Sequence, residues 1–253
     1  MRKKLDYNKI KELHSLNMND NEIARELNAS VNGVRYVRKD ILKLPHVNKE
    51  VELTTEMEEV IVGTLLGDAW IGYVYSGCTS PKYQTTHSIK QEKYVKTIYN
   101  CLLPIMSKNI CYMTNRTVVF GDKTYSCYNT IGISSRNSKC LIPYREAFYP
   151  EGKKIIPIDF IKYKFTAKSL AYWYMDDGSL DRNRHSYIFN TQCFTRENLE
   201  EFIQFLKEKF NLNFNIKKDN SLYLKHESNL VFENLIKDYL TEDMQYKIHH
   251  SCL

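Results

Sequence analysis

Ile61-Val62-Gly63-Thr64-Leu65-Leu66-Gly67-Asp68-Ala69 and Leu170-Ala171-Tyr172-Trp173-Tyr174-Met175-Asp176-Asp177-Gly178 are two variants of one pattern, which we call motif 1 and motif 2. Each motif is an apolar run of helical length that ends in an acidic residue beside a small one, and each leads into a strand-like stretch. Asp68 and Asp177 lie 109 residues apart, which indicates an internal duplication of long period. The duplication predicts two half-domains that pack helix against helix and bring both carboxylates to one place.

The hydrophobic periodicity on either side of the motifs predicts an α+β fold with two pseudo-symmetric αββαββα repeats. We expect a linker at 44–54, one repeat within 49–150 and a second within 151–253. In the first repeat the pattern predicts helices at 55–68, 92–106 and 136–148 and strands at 69–76, 83–90, 109–120 and 125–133. In the second it predicts helices at 166–177, 195–210 and 228–239 and strands at 179–183, 186–193, 213–218 and 221–226.

Residues 1–48 are predicted to form a small all-α module. Apolar residues recur at helical spacing through 7–43, and Asn19 or Asp20 is placed to cap the second helix. Residues 22–27, followed by a basic helix from Val31, resemble a helix-turn-helix, whose last helix enters the major groove of DNA. The alternative is a three-helix bundle with a solvated basic face. The candidate DNA-reading residues are Ser30, Asn32, Arg35, Tyr36, Arg38 and Lys39.

The composition is that of an ordinary globular protein with a modest positive charge. Hydrophobic residues make up 43% and charged residues 26%, and the formal net charge of +6 suits a nucleic-acid partner without requiring one. None of the seven cysteines forms a CxxC pair, which argues against a zinc knuckle or a disulfide framework. No apolar run approaches the roughly 20 residues of a membrane helix. We therefore expect a soluble protein in a reducing intracellular compartment, the cytoplasm or an organelle matrix.

The pairing of the two acids predicts a metal-dependent reaction. Gly63, Gly67 and Ala171 are small enough to let two helix backbones approach closely, with Asp68 and Asp177 side by side. Two adjacent carboxylates repel each other unless a cation lies between them. Mg²⁺ prefers such oxygen ligands, and carboxylate-bound metal beside a phosphate is the arrangement that phosphodiester hydrolysis needs. A single acid at a helix end would more often face solvent, so the prediction depends on the pair.

The two motifs resemble those of the LAGLIDADG homing endonucleases, in particular the single-chain, two-motif, intron-encoded type. The resemblance runs through most of 150–248, including 153–157, 189–192 and 244–247, and in the first half it is concentrated in 65–69. It implies a monomer that cuts both strands of a long asymmetric double-stranded DNA across the minor groove, leaves 3′ overhangs and promotes the mobility of an intron or similar element. It also implies Mg²⁺ as the cofactor, with Mn²⁺ able to substitute.

The resemblance assigns roles position by position. The eighth motif position holds the catalytic, metal-binding acid, here Asp68 and Asp177, and the seventh offers a backbone carbonyl to the metal, here Gly67 and Asp176. Peripheral lysines that polarise solvent or stabilise the scissile phosphates correspond to Lys154 and Lys247. Two residues depart from the consensus, Tyr172 in place of glycine and Leu66 in place of aspartate, and neither removes a required acid.

Alternating polar residues on the strands after each motif predict a DNA-binding face that forms a saddle, since each sheet buries only its other face. Arg and Lys read guanine and Asn and Gln read adenine, while other basic groups hold phosphates. The alternative is an ordinary solvated sheet face. Gln84 and Gln192 are further candidates for solvent contacts near the centre. The candidate DNA-contacting residues are Thr85, His87 and Lys90, then Arg182, Arg184, Tyr187, Asn190 and Gln192, and finally Lys217, Lys218, Tyr223 and Lys225.

Two other functions stay open at this point. One is an RNA-binding intron maturase on the same fold, with intron RNA as the partner. Retention of both Asp68 and Asp177 argues against a maturase that has lost nuclease activity, but it does not exclude a dual role. The other is a transcription regulator that uses the helix-turn-helix and has no nuclease activity.

Overall fold

A computed structural model describes residues 5–47, 51–114, 116–120, 123–127, 129–181 and 186–249, with backbone only for 116–120 and 123–127. The chain divides into two compact units, residues 1–50 and residues 51–253. The further boundary at residue 150 stays a prediction. Within the described ranges, no helix combines the length and the apolar character that crossing a membrane requires.

The first unit is helical. Its core is formed by Ile10, Ile23 and Val34, which are completely buried. Asn19 and Glu22 form a reciprocal capping box at the start of the second helix, and this fixes the turn that precedes it. The elements are α1 (Tyr7–Ser15), α2 (Asp20–Glu26), α3 (Val31–Tyr36) and a π-helical continuation of α3 (Val37–Ile41).

The elements of the first half of the second unit are α4 (Thr55–Leu66), β1 (Trp70–Gly72), β2 (Lys82–Ser88), α5 (Glu92–Cys101), β3 (Cys111–Met113), β4 (Arg116–Phe120), β5 (Lys123–Cys127), β6 (Thr130–Ser134) and α6 (Ile142–Phe148). Four of the strands form an antiparallel sheet of order β1-β2-β6-β3. The predicted strand at 109–120 is wrong as a single strand, because it splits into β3 and β4. Strand β4 pairs with β5 in a separate two-stranded ribbon.

The elements of the second half are α7 (Ile158–Ile161), α8 (Ala167–Asp177), β7 (Gly178–Asp181), β8 (Ser186–Phe189), α9 (Arg196–Phe210), β9 (Phe214–Ile216), β10 (Leu222–Leu224) and α10 (Asn229–Ile236). Its strands repeat the order of the first sheet, as β7-β8-β10-β9. The short helix α7 precedes the second motif helix and was not predicted. The two four-stranded antiparallel sheets with their covering helices confirm the predicted α+β class.

The motif helices α4 and α8 pack against each other at very short range. A Cβ atom added to Gly63 would lie 2.5 Å from the carbonyl oxygen of Ser169 and 2.8 Å from Cβ of Tyr172. The glycine therefore provides the space that the larger Tyr172 needs in motif 2. Both helices are apolar on nearly all sides, as expected of helices buried in the centre of a domain. Their close packing brings the C-terminal ends of both motifs together.

Candidate functional site

The two predicted acids lie at the ends of the motif helices in different surroundings. The Asp68 side chain is 48% exposed, whereas Asp177, the last residue of α8, is partly buried. Burial and the negative charge of Asp68 raise the pKa of Asp177 to about 7, and the positive charges of Lys154 and Lys247 oppose this shift. The two carboxylates are thus near enough to interact, as the duplication predicted.

Asp176 contributes its side chain as well as its backbone. Its carboxylate has no exposed surface. Oδ2 accepts a hydrogen bond from the backbone N–H of Asp68 at 3.1 Å, and Oδ1 accepts one from the Tyr94 hydroxyl at 2.6 Å. Burial and the charge of Asp68 raise the pKa of this carboxyl well above its usual range. No local sequence pattern indicates this contact, because it joins residues of the two motifs.

His87 lies beneath the acids, so its assignment as a DNA contact is wrong. Its Nδ1 is 3.7 Å from Oδ2 of Asp68, and its Nε2 is 3.7 Å from Oδ1 of Asp176 and 2.8 Å from Oγ1 of Thr85. Burial lowers the pKa of His87, and the charge of Asp68 opposes this. Thr85 is also buried, at 2% exposure, and its assignment as a DNA contact is wrong for the same reason.

The donor atoms of the site suit a divalent cation. Asp68, His87 and Asp176 each offer one ligand atom within 4.8 Å of the others. Both oxygens of Asp176 already accept hydrogen bonds, so the more available oxygens belong to Asp68 and to the partly buried Asp177. Hard cations prefer carboxylate oxygens of this kind. Burial and the charge of Asp68 raise the pKa of Asp177, and a positive charge here would offset the repulsion from Asp68.

Each predicted lysine binds a carbonyl at the end of a motif. Lys154 donates to the carbonyl oxygen of Gly67 at 2.6 Å, and Lys247 donates to those of Met175 at 2.5 Å and Asp176 at 3.2 Å. Burial lowers the pKa of both ammonium groups, and the neighbouring acids oppose this shift. The two carbonyls expected to face a metal, those of Gly67 and Asp176, therefore each interact with a lysine.

The outward face of the first sheet carries a different set of residues from the one predicted. Tyr83, Thr85 and His87 point to the core, so Lys82, Gln84 and Thr86 occupy the opposite face of β2. A one-residue change in the assumed alternation moves every side chain to the other face. Lys90, just after β2, is exposed as predicted. The three outward residues line a shallow cavity of about 210 Å³ together with Asn109, Cys111, Met113, Gly132, Ile133 and Ser134.

In the second sheet, Tyr187 is fully buried and its hydroxyl donates to Glu233, so its assignment as a DNA contact is wrong. Asn190 is exposed, but its side chain also donates to the carbonyl of Asp177 at 2.8 Å. The Lys217 ammonium lies 4.0 Å above the ring of Tyr223 on the partly exposed face. Gln192 and Lys218 are exposed and Lys225 is partly exposed, whereas Arg182 and Arg184 lie outside the described residues.

In the first unit, Arg38 is buried rather than available to DNA, so its assignment as a reader is wrong. Its guanidinium binds both oxygens of Asp20, at 2.6 and 3.1 Å, and the carbonyl of Leu44 at 2.8 Å. Ser30 caps α3 by accepting the N–H of Gly33. The remaining candidates are exposed: Asn32, Arg35, Tyr36 and Lys39.

Comparisons with known proteins agree with this geometry. Residues 58–232 match the model of the LAGLIDADG DNA endonuclease family. A probable intron-encoded endonuclease 1 from Wickerhamomyces canadensis is 26% identical over 83% of this chain and 95% of its own length. The cytochrome b mRNA maturase bI2 of Saccharomyces cerevisiae is 26% identical over 78% of this chain and 48% of its own length. The solved homing endonuclease I-WcaI, bound to its DNA recognition sequence, is 28% identical with a TM-score of 0.70, over 84% of this chain and 97% of that one. The chain belongs to the LAGLIDADG DNA endonuclease family.

Proposed function

We propose that this protein is a monomeric homing endonuclease that hydrolyses both strands of a long, asymmetric double-stranded DNA site and leaves 3′ overhangs. The observation that carries the proposal is the convergence of Asp68 and Asp177 at the ends of the paired motif helices, beside the buried Lys247 and the partly buried Lys154. Both halves lie in one chain, so no second copy is needed to complete the site. Unlike halves suit an asymmetric target, and such cleavage would promote the mobility of an intron or similar element.

Asp68 and Asp177 would hold the divalent cation, Mg²⁺ or Mn²⁺. When bound, the cation supplies Lewis-acid stabilisation of the phosphate and acidifies coordinated water. In its absence Asp177, with a pKa of about 7, carries its proton for about half of the time at neutral pH. Metal binding needs the ionised carboxylate, so it is coupled to the release of this proton. Ionisation of Asp177 therefore makes metal binding depend on pH near neutrality.

The two lysines would place positive charge beside the scissile phosphates. An ammonium group has three donors, and the motif carbonyls use one from Lys154 and two from Lys247. Each lysine retains at least one N–H for solvent or a phosphate oxygen. The carbonyl contacts hold both ammonium groups near the acids before DNA arrives, and such preorganisation strengthens stabilisation of developing negative charge.

The outward sheet faces would bind the DNA on either side of the acids. Lys82, Gln84 and Thr86 offer one phosphate-binding and two base-reading side chains on β2. Lys217 and Tyr223 offer a cation and an aromatic ring on the second sheet. I-WcaI, whose fold this chain shares, was solved with its recognition sequence. In the first unit, the exposed residues of α3 would add major-groove contacts as a helix-turn-helix.

The decisive experiment uses the DNA that results when the host exons are rejoined without their intron. The protein with Mg²⁺ should cut this DNA, and a scrambled duplex of the same composition should stay intact. Asp68→Asn and Asp177→Asn should abolish cutting while DNA affinity is retained, because each removes a metal-binding charge but keeps the side-chain size. Cutting by both variants would overturn the assignment of the site, and failure of the unaltered protein to cut the joined exons would overturn the proposed function.

A maturase role is a second candidate, favoured by the similarity to the yeast cytochrome b mRNA maturase. The chain spans about half of that protein. Splicing of the host intron RNA should be measured with the Asp68→Asn variant. Splicing by a variant that no longer cuts DNA would establish a separate RNA activity, and the absence of splicing by the unaltered protein would exclude it.

A further inference from the structure

We propose that Asp176 is a positioning residue, whose buried carboxylate holds the backbone of Asp68 in place from the opposite motif. The effect on cleavage rests on the proposed endonuclease function. This role differs from the one that the family resemblance implies for the seventh motif position, where the backbone carbonyl alone takes part.

The first observation is the direct contact between the motifs. The N–H of Asp68 donates to Oδ2 of Asp176 at 3.1 Å, across 108 residues of chain. A Cβ atom added to Gly67 would lie 2.3 Å from Cβ of Asp176, so the aspartate fills the space left by the missing side chain. The peptide that carries Asp68 is therefore in contact with the opposite motif both by packing and by a hydrogen bond.

The second observation is that the first half also fixes the other oxygen of this carboxylate. The Tyr94 hydroxyl donates to Oδ1 at 2.6 Å, and Tyr94 is completely buried on α5. The same hydroxyl lies 3.2 Å from the carbonyl oxygen of Tyr172. The ring of His87 meets that of Tyr94 edge-on at 5.3 Å, which limits rotation of the tyrosine. The carboxylate of Asp176 thus has two hydrogen-bond donors from the first half and a fixed orientation.

The third observation is the asymmetry of the arrangement. Gly67 stands at the position of motif 1 that Asp176 occupies in motif 2, so motif 1 offers no side chain to the peptide of Asp177. The carbonyl of Asp177 is instead held by Asn190, through its backbone N–H at 3.0 Å and its side-chain amide at 2.8 Å. Because the two acids are positioned by different groups, loss of the Asp176 carboxylate should displace Asp68 much more than Asp177.

The test uses the full chain, three variants and one control variant. Asp176→Ala removes both hydrogen-bond acceptors. Asp176→Asn keeps one acceptor for the N–H of Asp68, and its amide can donate to Tyr94, whose hydroxyl can then donate to Tyr172. Tyr94→Phe removes one donor to the carboxylate. Tyr83→Phe is the matched control, because it removes an equally buried hydroxyl of the same half that donates to Thr64 rather than to Asp176.

Two quantities are measured. The first is the rate of cutting of each DNA strand, followed with a different label on each. Asp176→Ala should slow one strand by about tenfold to a hundredfold more than the other, so that nicked DNA accumulates, since small displacements of a reacting group have effects of this size. Tyr94→Phe should give a smaller bias in the same direction. Asp176→Asn should restore nearly even cutting, and Tyr83→Phe should show none of the bias.

The second quantity is hydrogen exchange at the Asp68 amide in the metal-free protein, which does not depend on activity. Exchange should be about tenfold faster in Asp176→Ala and near the unaltered rate in Asp176→Asn, because only the alanine variant lacks an acceptor. Equal slowing of both strands, unchanged exchange, or an Asp176→Asn defect as large as that of Asp176→Ala would overturn the proposal. The last result would mean that the negative charge itself is required. If the unaltered protein cuts no DNA, the proposed function fails while the exchange experiment still tests the positioning role.

Discussion

The ammonium group of Lys154 lies 2.6 Å from the carbonyl oxygen of Gly67, 87 residues earlier in the chain. Lys247 makes the corresponding contacts with the carbonyls of Met175 and Asp176. The last carbonyls of a helix lack intrahelical partners and attract positive charge. Each lysine therefore satisfies the end of one motif and remains beside the acids, so the same contact stabilises the fold and holds the charge in place.

Replacing Lys154 by methionine should slow DNA cleavage by about a hundredfold, because it removes the preorganised charge that the proposed function puts beside the scissile phosphate. DNA affinity should change by less than about threefold, since one contact among many is lost. Single-turnover cleavage and a filter-binding titration separate the two quantities. Lys153→Met is the matched control, because Lys153 is the exposed neighbour. A loss of affinity as large as the loss of rate would show that Lys154 merely binds DNA.

Asp177 should make the stability of the metal-free protein depend on pH. Its pKa of about 7 in the folded chain lies above the value of 3.8 for a free side chain. Between these values the folded state binds the extra proton, so the free energy of unfolding contributed by this group falls as pH rises from about 4 to about 7. Asp177→Asn should flatten this slope in thermal unfolding measured with chelator present, whereas Asp159→Asn, at an exposed carboxylate, should leave it unchanged.

Adding Mg²⁺ or Mn²⁺ should restore the stability that ionisation of Asp177 removes as the pH approaches and passes about 7. A ligand that binds only the folded state raises the melting temperature, and in the proposed metal site the ionised carboxylate of Asp177 is the form that binds. The increase should be larger at pH 8 than at pH 5 and should be lost in Asp177→Asn. An equal increase at both pH values would argue against Asp177 as a metal ligand.

The sequence was sufficient to predict both motif helices and the closeness of Asp68 and Asp177, because a duplicated apolar run that ends in an acidic residue is a strong pattern. Which face of β2 is buried was not predictable. Lys82–Ser88 contains Tyr83 as its only large apolar residue, and Thr85 and His87, which share its buried face, are polar. The alternation shows that neighbouring side chains lie on opposite faces of the strand. Without a contrast in hydrophobicity it does not show which face is buried. The burial of His87 follows from the polar cluster formed by both motifs, which no local segment contains.

The corrected face of β2 predicts that Trp70 reports DNA binding. Trp70 is 37% exposed and pairs with Gln84 on the outward face, whereas Trp173, the other tryptophan, is fully buried. Addition of target DNA should therefore change the intrinsic fluorescence of the unaltered protein. Trp70→Phe should remove that change while retaining the signal of Trp173. A change of the same size in Trp70→Phe would place DNA elsewhere.

Lys82 should contact a phosphate on the same face. Lys82→Ala should weaken binding by a similar factor for target and unrelated DNA and reduce the salt dependence of the binding constant by about one ion. Lys237→Ala, in the turn after α10, is the control and should leave the salt dependence unchanged. A selective loss of affinity for the target alone would instead make Lys82 a base-reading residue.

Replacing the two arginines of α3 and its π-helical continuation one at a time should distinguish a role in folding from a role in DNA binding. Arg38→Ala leaves the buried Asp20 carboxylate without its two-point partner, and breaking such a pair costs about 3–5 kcal/mol. The first unit should then unfold at lower temperature, as followed by helical circular dichroism and proteolysis of residues 1–50. Arg35 is exposed, and its Nε lies 3.7 Å from Oδ2 of Asp20, beyond hydrogen-bond distance. Arg35→Ala should therefore leave the fold intact and weaken DNA binding. Equal destabilisation by both changes would contradict this division.

The closeness of the motif helices should make Gly63 intolerant of any side chain. In Gly63→Ala the new methyl group would lie 2.5 Å from the carbonyl oxygen of Ser169, and a backbone atom in a buried helix cannot move aside without separating the helices. We expect a loss of several kcal/mol in the free energy of unfolding, at the upper end of about 1–3 kcal/mol for overpacking or beyond it. Gly77→Ala is the control, because its added Cβ would meet Tyr75 at an ordinary 3.5 Å.

Since separation of the helices also separates Asp68 from Asp177, the pKa of Asp177 should fall in any Gly63→Ala protein that folds. An unchanged pKa would mean that the helix interface does not set the distance between the acids.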